Sequence, residues 1–327
     1  MQLKIALGLR NFVKTFHTYI KRYHQFVPER LYGEWGDEVE KYVGAESKLY
    51  IIAKTKRHDW IPTSFAIGDD YKIAGKLRVG NRKKKVTLDI AEYWYSNEKF
   101  RSRFTSKEEM ASEIMKLSFH GKPARGSSKK HYRSQSRVLV EKSDRKALVI
   151  ECEMLRNLTQ GDTVELALSI YQSMNFFDLA IEPLEIVYIG SSVKGAFGRV
   201  HGHDRWGEIQ AEKKDDEDIV VYFAEVEASA VAQTSVSGLP IIVTAHDGLE
   251  LVDRVTISEM ALINYFKPHY NWHHKYRDIQ ESERVKRAVA VMGYNRIVAE
   301  LSLEHQLGKL ETDAQPYQRV HVAQFDL

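Results

Sequence analysis

Apolar and polar positions along the chain repeat with two periods, and these mark most of its elements. Between residues 3 and 26, Phe12, Phe16, Tyr19, Ile20 and Tyr23 recur at helical spacing, with Lys14, Lys21 and Arg22 on the polar side. That spacing predicts an amphipathic opening helix stopped by Pro28. Residues 49–53 form an uninterrupted apolar run and predict a short buried strand, followed by a turn at Trp60-Ile61-Pro62. Alternating runs at 72–79 and 86–90 flank Gly80-Asn81, the pattern of a hairpin. Ser106 to Glu109 matches a capping box, with Met110, Ile114 and Leu117 as the buried stripe of the helix that follows. Residues 120–136 predict a basic loop, and residues 137–150 return to strand-like apolar runs. A helix is expected over 155–174, with Leu166, Ile170 and Met174 on one face. A hairpin from runs 176–181 and 184–190 around Glu182-Pro183 should follow it. Residues 219–226 predict a strand, 228–255 read as an insertion, and 257–266 predict a helix. Runs 285–292 and 297–303 fit a hairpin or two helices equally, and 319–325 alternates as a terminal strand.

Composition narrows the class. A chain of 327 residues has room for two or three domains, and 43% hydrophobic with 28% charged residues is ordinary for a globular protein. The opening Met1-Gln2-Leu3-Lys4-Ile5 lacks a signal-peptide layout, and no apolar run approaches membrane-spanning length. The single cysteine, Cys152, sits in an apolar run and reads as a core residue. The expectation is a cytoplasmic protein with no membrane partner. Charge adds a direction. From Lys72 to Lys146 there are 21 Lys and Arg against 8 Asp and Glu, a local +13 in a chain of net +3. An excess of that size fits a polyanionic partner, or a solvated, salt-laced face. Candidate phosphate contacts are Arg82, Lys83, Lys84 and Lys85 beside the hairpin turn, and Lys129 and Lys130 in the basic loop.

Chemistry-bearing residues are ordered along 188–271. Tyr188-Ile189-Gly190 ends an apolar run. Arg199 and His203 lie four apart, Glu259 opens an apolar helical run, and Lys267-Pro268 stops it ahead of Asn271. Each piece alone has an ordinary reading. Tyr188 is a strand aromatic, Arg199 and His203 are a solvated helix face, Asn271 is a loop end, and Thr256-Ile257-Ser258-Glu259 is a capping box. In this order and spacing they resemble the GIY-YIG nuclease domain, over roughly a third of the chain.

The resemblance implies an α+β fold, a small mixed sheet flanked by helices, preceded by a basic α+β domain. The expected division is 1–162 for nucleic-acid binding and target recognition, 163–275 for the nuclease, and 276–327 as a tail that packs on it or dimerises. The implied activity is metal-dependent DNA cleavage, most similar to the restriction members. Homing, repair or phage-defence nucleases, and an inactive nucleic-acid-binding relative, are the alternatives. By the resemblance Tyr188 helps to activate water, Arg199 holds the scissile phosphate, His203 assists proton transfer and Asn271 orients the site. Glu259 anchors Mg²⁺ or Mn²⁺, since one carboxylate suits an ion that keeps several waters. The family's first tyrosine should lie about ten residues before Tyr188, where Asn175-Phe176-Phe177 has no hydroxyl. Ser169-Ile170-Tyr171 has suitable residues further upstream, so that tyrosine is Tyr171 or is missing. Double-stranded DNA is the implied partner, and a homodimer follows from one site per chain and two strands to cut. His201, His203, His269, His273 and His274 match no structural zinc spacing. With Tyr270, Trp272, Lys275 and Arg277 they read as part of a phosphate-facing rim.

Overall fold

The computed structural model describes residues 13–68, 71–118, 136–152, 165–202, 204–236, 239–272 and 279–327. The fold is mixed α+β and divides into two compact units. Unit 1 holds the described residues up to Thr55, Glu182–Glu304 and Gly308–Leu327, and unit 2 holds Lys56–Ile181 with His305–Leu307. This differs from the expected division at 162 and 275. The chain leaves unit 1 between two neighbouring strands and returns to it, so no cut along the sequence separates the units.

Unit 1 is built on a mixed eight-stranded sheet. Its strands are β1 (Val13–Phe26), β2 (Leu49–Lys56), β3 (Leu184–Ser191), β4 (Glu217–Val236), β5 (Leu239–His246), β6 (Arg296–Leu301), β7 (Leu310–Glu311) and β8 (His321–Asp326). The order across the sheet is β7-β3-β2-β4-β1-β6-β8, with β5 paired to β4 beside that path. Its helices are α1 (Gly33–Val43), α2 (Ala196–His201), α3 (Asp204–Ala211), α4 (Leu251–Phe266) and α5 (Glu283–Met292). Leu31, Val39 and Val43 from α1 and its approach, Ala196 and Val200 from α2, and Trp206 and Ile209 from α3 share one core with Tyr50, Ile52, Val187 and Phe223 of the sheet. Helix α4 buries Val255, Ile257, Ala261, Leu262, Ile263 and Phe266 and packs along β3, β6 and β8. It stops at Lys267, which is left-handed at φ 51°, because Pro268 disfavours another helical residue before it.

Several elements differ from expectation. The opening segment is strand β1, antiparallel to β4 and parallel to β6. Its aromatics do not alternate, since Phe16 and Tyr19 fall on opposite faces of the strand, but its content of Val, Thr, Tyr and Phe favours the strand. The expected helix over 155–174 is a strand, Glu165–Ser169, leading into a short helix, Ile170–Phe176, and residues 153–164 lie outside the described residues. Leu184–Ser191 is a strand, but its antiparallel partner is β2 and not residues 176–181. Of residues 228–255, read as inserted, 228–236 continue β4 and 239–246 form β5 antiparallel to it. The undecided run near 285 is a helix and the one near 297 a strand, and the tail adds β6, β7 and β8 to the main sheet.

Unit 2 contains the predicted hairpin, Lys72–Val79 with Arg82–Asp89, closed by Gly80 (φ 53°) and Asn81. The predicted cap at Ser106 is also present, although the Glu109 carboxylate reaches back to Thr105 and not to Ser106. The Glu109 amide donates to Ser106 Oγ at 3.1 Å, and the Glu109 carboxylate accepts from the amide of Thr105 at 2.7 Å. A three-stranded sheet joins Ser136–Val138, Ala147–Cys152 and Glu165–Ser169. Cys152 is buried, as its apolar setting predicted. Among the described residues no helix is long and apolar enough to cross a membrane.

Candidate active site

Strands β2 and β3 run antiparallel with Tyr50 opposite Gly190 and Ile52 opposite Tyr188. Opposed residues share a face, as do positions two apart, so Tyr50 and Tyr188 are diagonal neighbours on one face. Their rings stack, with centroids 5.8 Å apart and planes at 28°. Gly190 makes the room. A Cβ there would lie 2.5 Å from Tyr50 Cζ and Oη and 2.7 Å from Tyr188 Cε1. The glycine of Tyr-Ile-Gly is therefore required by close approach.

The electrostatics of the pair are asymmetric. Burial, the largest cause, lifts both phenols above the ordinary tyrosine range, and the Glu259 carboxylate raises them further. The hydrogen bond between the hydroxyls raises Tyr50 and lowers Tyr188. The Arg199 guanidinium lowers both, and Arg205 also lowers Tyr188. Tyr188 is thus the member of the pair that yields a proton more readily, with Tyr50 as its hydrogen-bond donor. Arg199 stands on the exposed side of α2, and Arg205 on α3 lies 5.4 Å over the Trp272 ring.

Glu259 sits in the middle of α4, eight residues beyond its first, so it caps nothing. Thr256, expected as its cap partner, donates its hydroxyl to the Val252 carbonyl at 2.7 Å. Glu259 Oε2 accepts from Ser191 Oγ at 2.7 Å, where Ser191 ends β3. Burial raises the Glu259 carboxyl above the usual carboxylate range, against the lowering effects of Ser191 and Arg199. Asn271, buried in the turn after α4, grips the same strand. It accepts from Ile189 N–H at 2.9 Å and donates to Ile189 C=O at 2.7 Å. Strand β7 covers that edge of β3 only at Leu184 and Glu185, so the Asn271 amide stands in for a strand beyond it.

Four predicted residues, Tyr188, Arg199, Glu259 and Asn271, therefore gather around the end of β3. Tyr171 belongs to unit 2, where its hydroxyl accepts from Lys146 Nζ at 3.2 Å. The same ammonium donates to the His58 carbonyl at 2.8 Å and lies 3.5 Å from buried Asp59. Phe176 and Phe177 pack on Tyr93, also in unit 2. His203, Lys129 and Lys130 lie outside the described residues. Tyr50, Ser191 and Arg205 were missed by the sequence reading. Tyr50 lies 138 positions before Tyr188, and its one signal was its place in an apolar strand-like run.

In unit 2 the hairpin adds a second feature. Register pairs Lys76 with Lys85 and Arg78 with Lys83, so four cations stand directly opposed on one face. Like charges in that relation destabilise a hairpin. Arg82 and Lys84 occupy the other face, opposite Val79 and Leu77.

Comparison with protein-family models, curated proteins and solved structures returned no match.

The approach over Gly190 gives a direct test. Gly190→Ala is expected to destabilise unit 1 by about 1–3 kcal/mol, the usual cost of forcing atoms into a packed site. Urea denaturation reads it as a lower midpoint, and an unchanged midpoint would mean that the two rings have room to spare.

Proposed function

We propose that this chain is a DNA endonuclease of restriction type that hydrolyses phosphodiester bonds with a divalent cation at a GIY-YIG-like site. The observation that carries the reading is the stacked pair of Tyr50 and Tyr188 over Gly190, beside Arg199 and Glu259. Tyr50 supplies the phenol that the sequence offered only at Tyr171, from a strand that adjoins Tyr188 in space and not in sequence. With it, the phenylalanines at 176 and 177 no longer favour an inactive relative.

In this reading Tyr188 takes a proton from the attacking water, and its hydrogen bond from Tyr50 lowers the cost of the phenolate. Arg199 holds the scissile phosphate and offsets its developing charge. His203 assists proton transfer, as the resemblance implies. Glu259, steadied by Ser191, would hold Mg²⁺ or Mn²⁺. The donor set fits such an ion, because a carboxylate whose charge is disfavoured by burial gains from a cation, and a single one suits a metal that keeps its waters. When bound, the ion supplies charge neutralisation and a more acidic water. Asn271 keeps β3 in place. The four opposed cations of the unit 2 hairpin would hold backbone phosphates, which gives their mutual repulsion a use.

Exchanging the two tyrosines separates the readings. Tyr50→Phe should slow cleavage about a hundredfold, the scale of a general acid–base contribution, while Tyr171→Phe should cut at the wild-type rate. The reverse outcome would return the role to Tyr171.

Glu259→Gln should abolish cleavage and leave DNA binding intact. It should also raise stability at pH 7. A carboxyl raised by folding contributes stability below its unfolded pKa and loses it as pH climbs through the folded value, so at neutral pH the charged form is a cost that the amide removes. Normal cleavage by Glu259→Gln would overturn the metal assignment, and a lower urea midpoint would make Glu259 a structural residue.

Replacing Lys76, Arg78, Lys83 and Lys85 with glutamine should weaken DNA binding and flatten its salt dependence, by up to about one unit of slope for each phosphate no longer neutralised. An unchanged slope would mean that the hairpin face is only solvated.

A further inference from the structure

Of the five tryptophans, Trp60, Trp94 and Trp206 are buried, while Trp35 is 54% and Trp272 49% exposed. Trp272 stands beside the candidate site and is held there from two directions. Its backbone follows Asn271, which is buried and bonded twice to Ile189 of β3. Tyr270 is buried as well, with its hydroxyl on the Glu212 carboxylate just beyond α3. The Trp272 ring lies under the Arg205 guanidinium of α3, 5.4 Å from the centroid and within cation–π range. Arg205 pairs in turn with Glu208, three residues further along the helix. The same guanidinium lowers the Tyr188 phenol, as Arg199 does. Arg205 therefore links the exposed indole to the tyrosine pair.

We propose that the Trp272 indole, backed by Arg205, is a stacking platform for one unpaired nucleobase of the strand held at Arg199. The place of that strand rests on the nuclease reading. Arg199 and Arg205 act on the same phenol, so a strand held by the first passes the second. Trp272, expected from the sequence on a phosphate-facing rim, takes a base instead. Glu208 already balances the Arg205 charge, so a phosphate gains little there. A flat base without net charge gains from an indole face or a guanidinium plane, and such stacking tolerates any sequence. In a paired duplex each base is covered on both sides by its neighbours, and reaching one face means taking it out of the stack. The platform therefore receives a base extruded from a duplex or one already in a single strand. The substrate is thus a strand with one nucleotide unstacked beside the cut.

The test is binding of the full chain, without divalent metal, to a labelled oligothymidylate strand and to a fully paired duplex, read by fluorescence anisotropy. The native chain should bind the single strand. Trp272→Leu should weaken that binding about tenfold, the scale of one base–aromatic stack, and Trp272→Phe should restore most of it because it keeps a ring face. Trp35→Leu is the control, since Trp35 is as exposed and lies under Arg30 at 3.9 Å, and it should leave binding unchanged. An equal loss on the paired duplex in Trp272→Leu would mark an extruded base, and a loss on the single strand alone a base that arrives unpaired; either supports the platform. A native chain that does not bind the single strand overturns it, as does binding that survives Trp272→Leu. So does Trp272→Phe as weak as the leucine variant, or Trp35→Leu as weak as Trp272→Leu. Binding through Trp272 by a chain that cuts no DNA with Mg²⁺ would sink the nuclease reading and leave the platform standing. A chain that cuts DNA, and binds and cuts equally well as Trp272→Leu, would do the opposite.

Discussion

The approach of two tyrosine rings over one glycine is the constraint on which the candidate site depends. It requires β2 and β3 in one register, because a slip of one residue would send Tyr188 to the opposite face of the sheet. A bulge between Ile186 and Tyr188 sets that register locally. Asn271 secures it from the outer edge by taking both the donor and the acceptor of Ile189. Asn271 is in reach because α4 ends where it does, at a left-handed Lys267 followed by Pro268. The helix is in turn tied to the sheet centre through Ser258, whose hydroxyl meets Thr18 of β1 at 2.7 Å. Pairing register, helix end and turn are therefore one arrangement.

That arrangement persists although the chain between β2 and β3 runs through a whole second unit. The entropy of closing a loop grows only with the logarithm of its length, and a connection that is itself folded behaves as a short one. Unit 2 has a buried core of its own. Trp60, Ile73, Leu88, Leu148, Ile170 and Met174 are fully or almost fully buried, and the Trp60 indole donates to the Leu168 carbonyl at 3.1 Å. The two strands of the candidate site can then be far apart in sequence without loss of precision in space.

This explains what was legible in the sequence and what was not. Tyr188, Arg199, Glu259 and Asn271 could be read because they belong to one continuous stretch, with a helix stop that proline makes unambiguous. Tyr50 could not, because strand pairing across 138 positions leaves no local trace, and a lone tyrosine in an apolar run looks like core. The search for a partner near Tyr188 then fell on Tyr171, whose hydroxyl is engaged by Lys146 instead. The hairpin at Gly80-Asn81 and the cap at Ser106 were legible for the opposite reason, since each is decided within a few residues. Strand β1 was misread because it carries aromatics on both faces, which mimics helical spacing, and the deciding contacts with β4 and β6 come from distant sequence. The capping-box reading of Glu259 failed because α4 begins at Leu251, where no side chain caps the first turn.

The electrostatic state of the site bears on its purpose. Burial disfavours the charged form of Glu259 and of both phenols, and the carboxylate raises the phenols further. Arg199 offsets these effects in part from an exposed position, where solvent screens it. A packed apolar cluster would have been the more stable occupant of the end of β3. Three groups that resist ionisation together share a single remedy. A cation held at Glu259 would favour the carboxylate directly and remove the negative charge that raises Tyr50 and Tyr188. Under the proposed reading the groups would be coupled, since a cation at Glu259 would lower the cost of proton loss at both phenols.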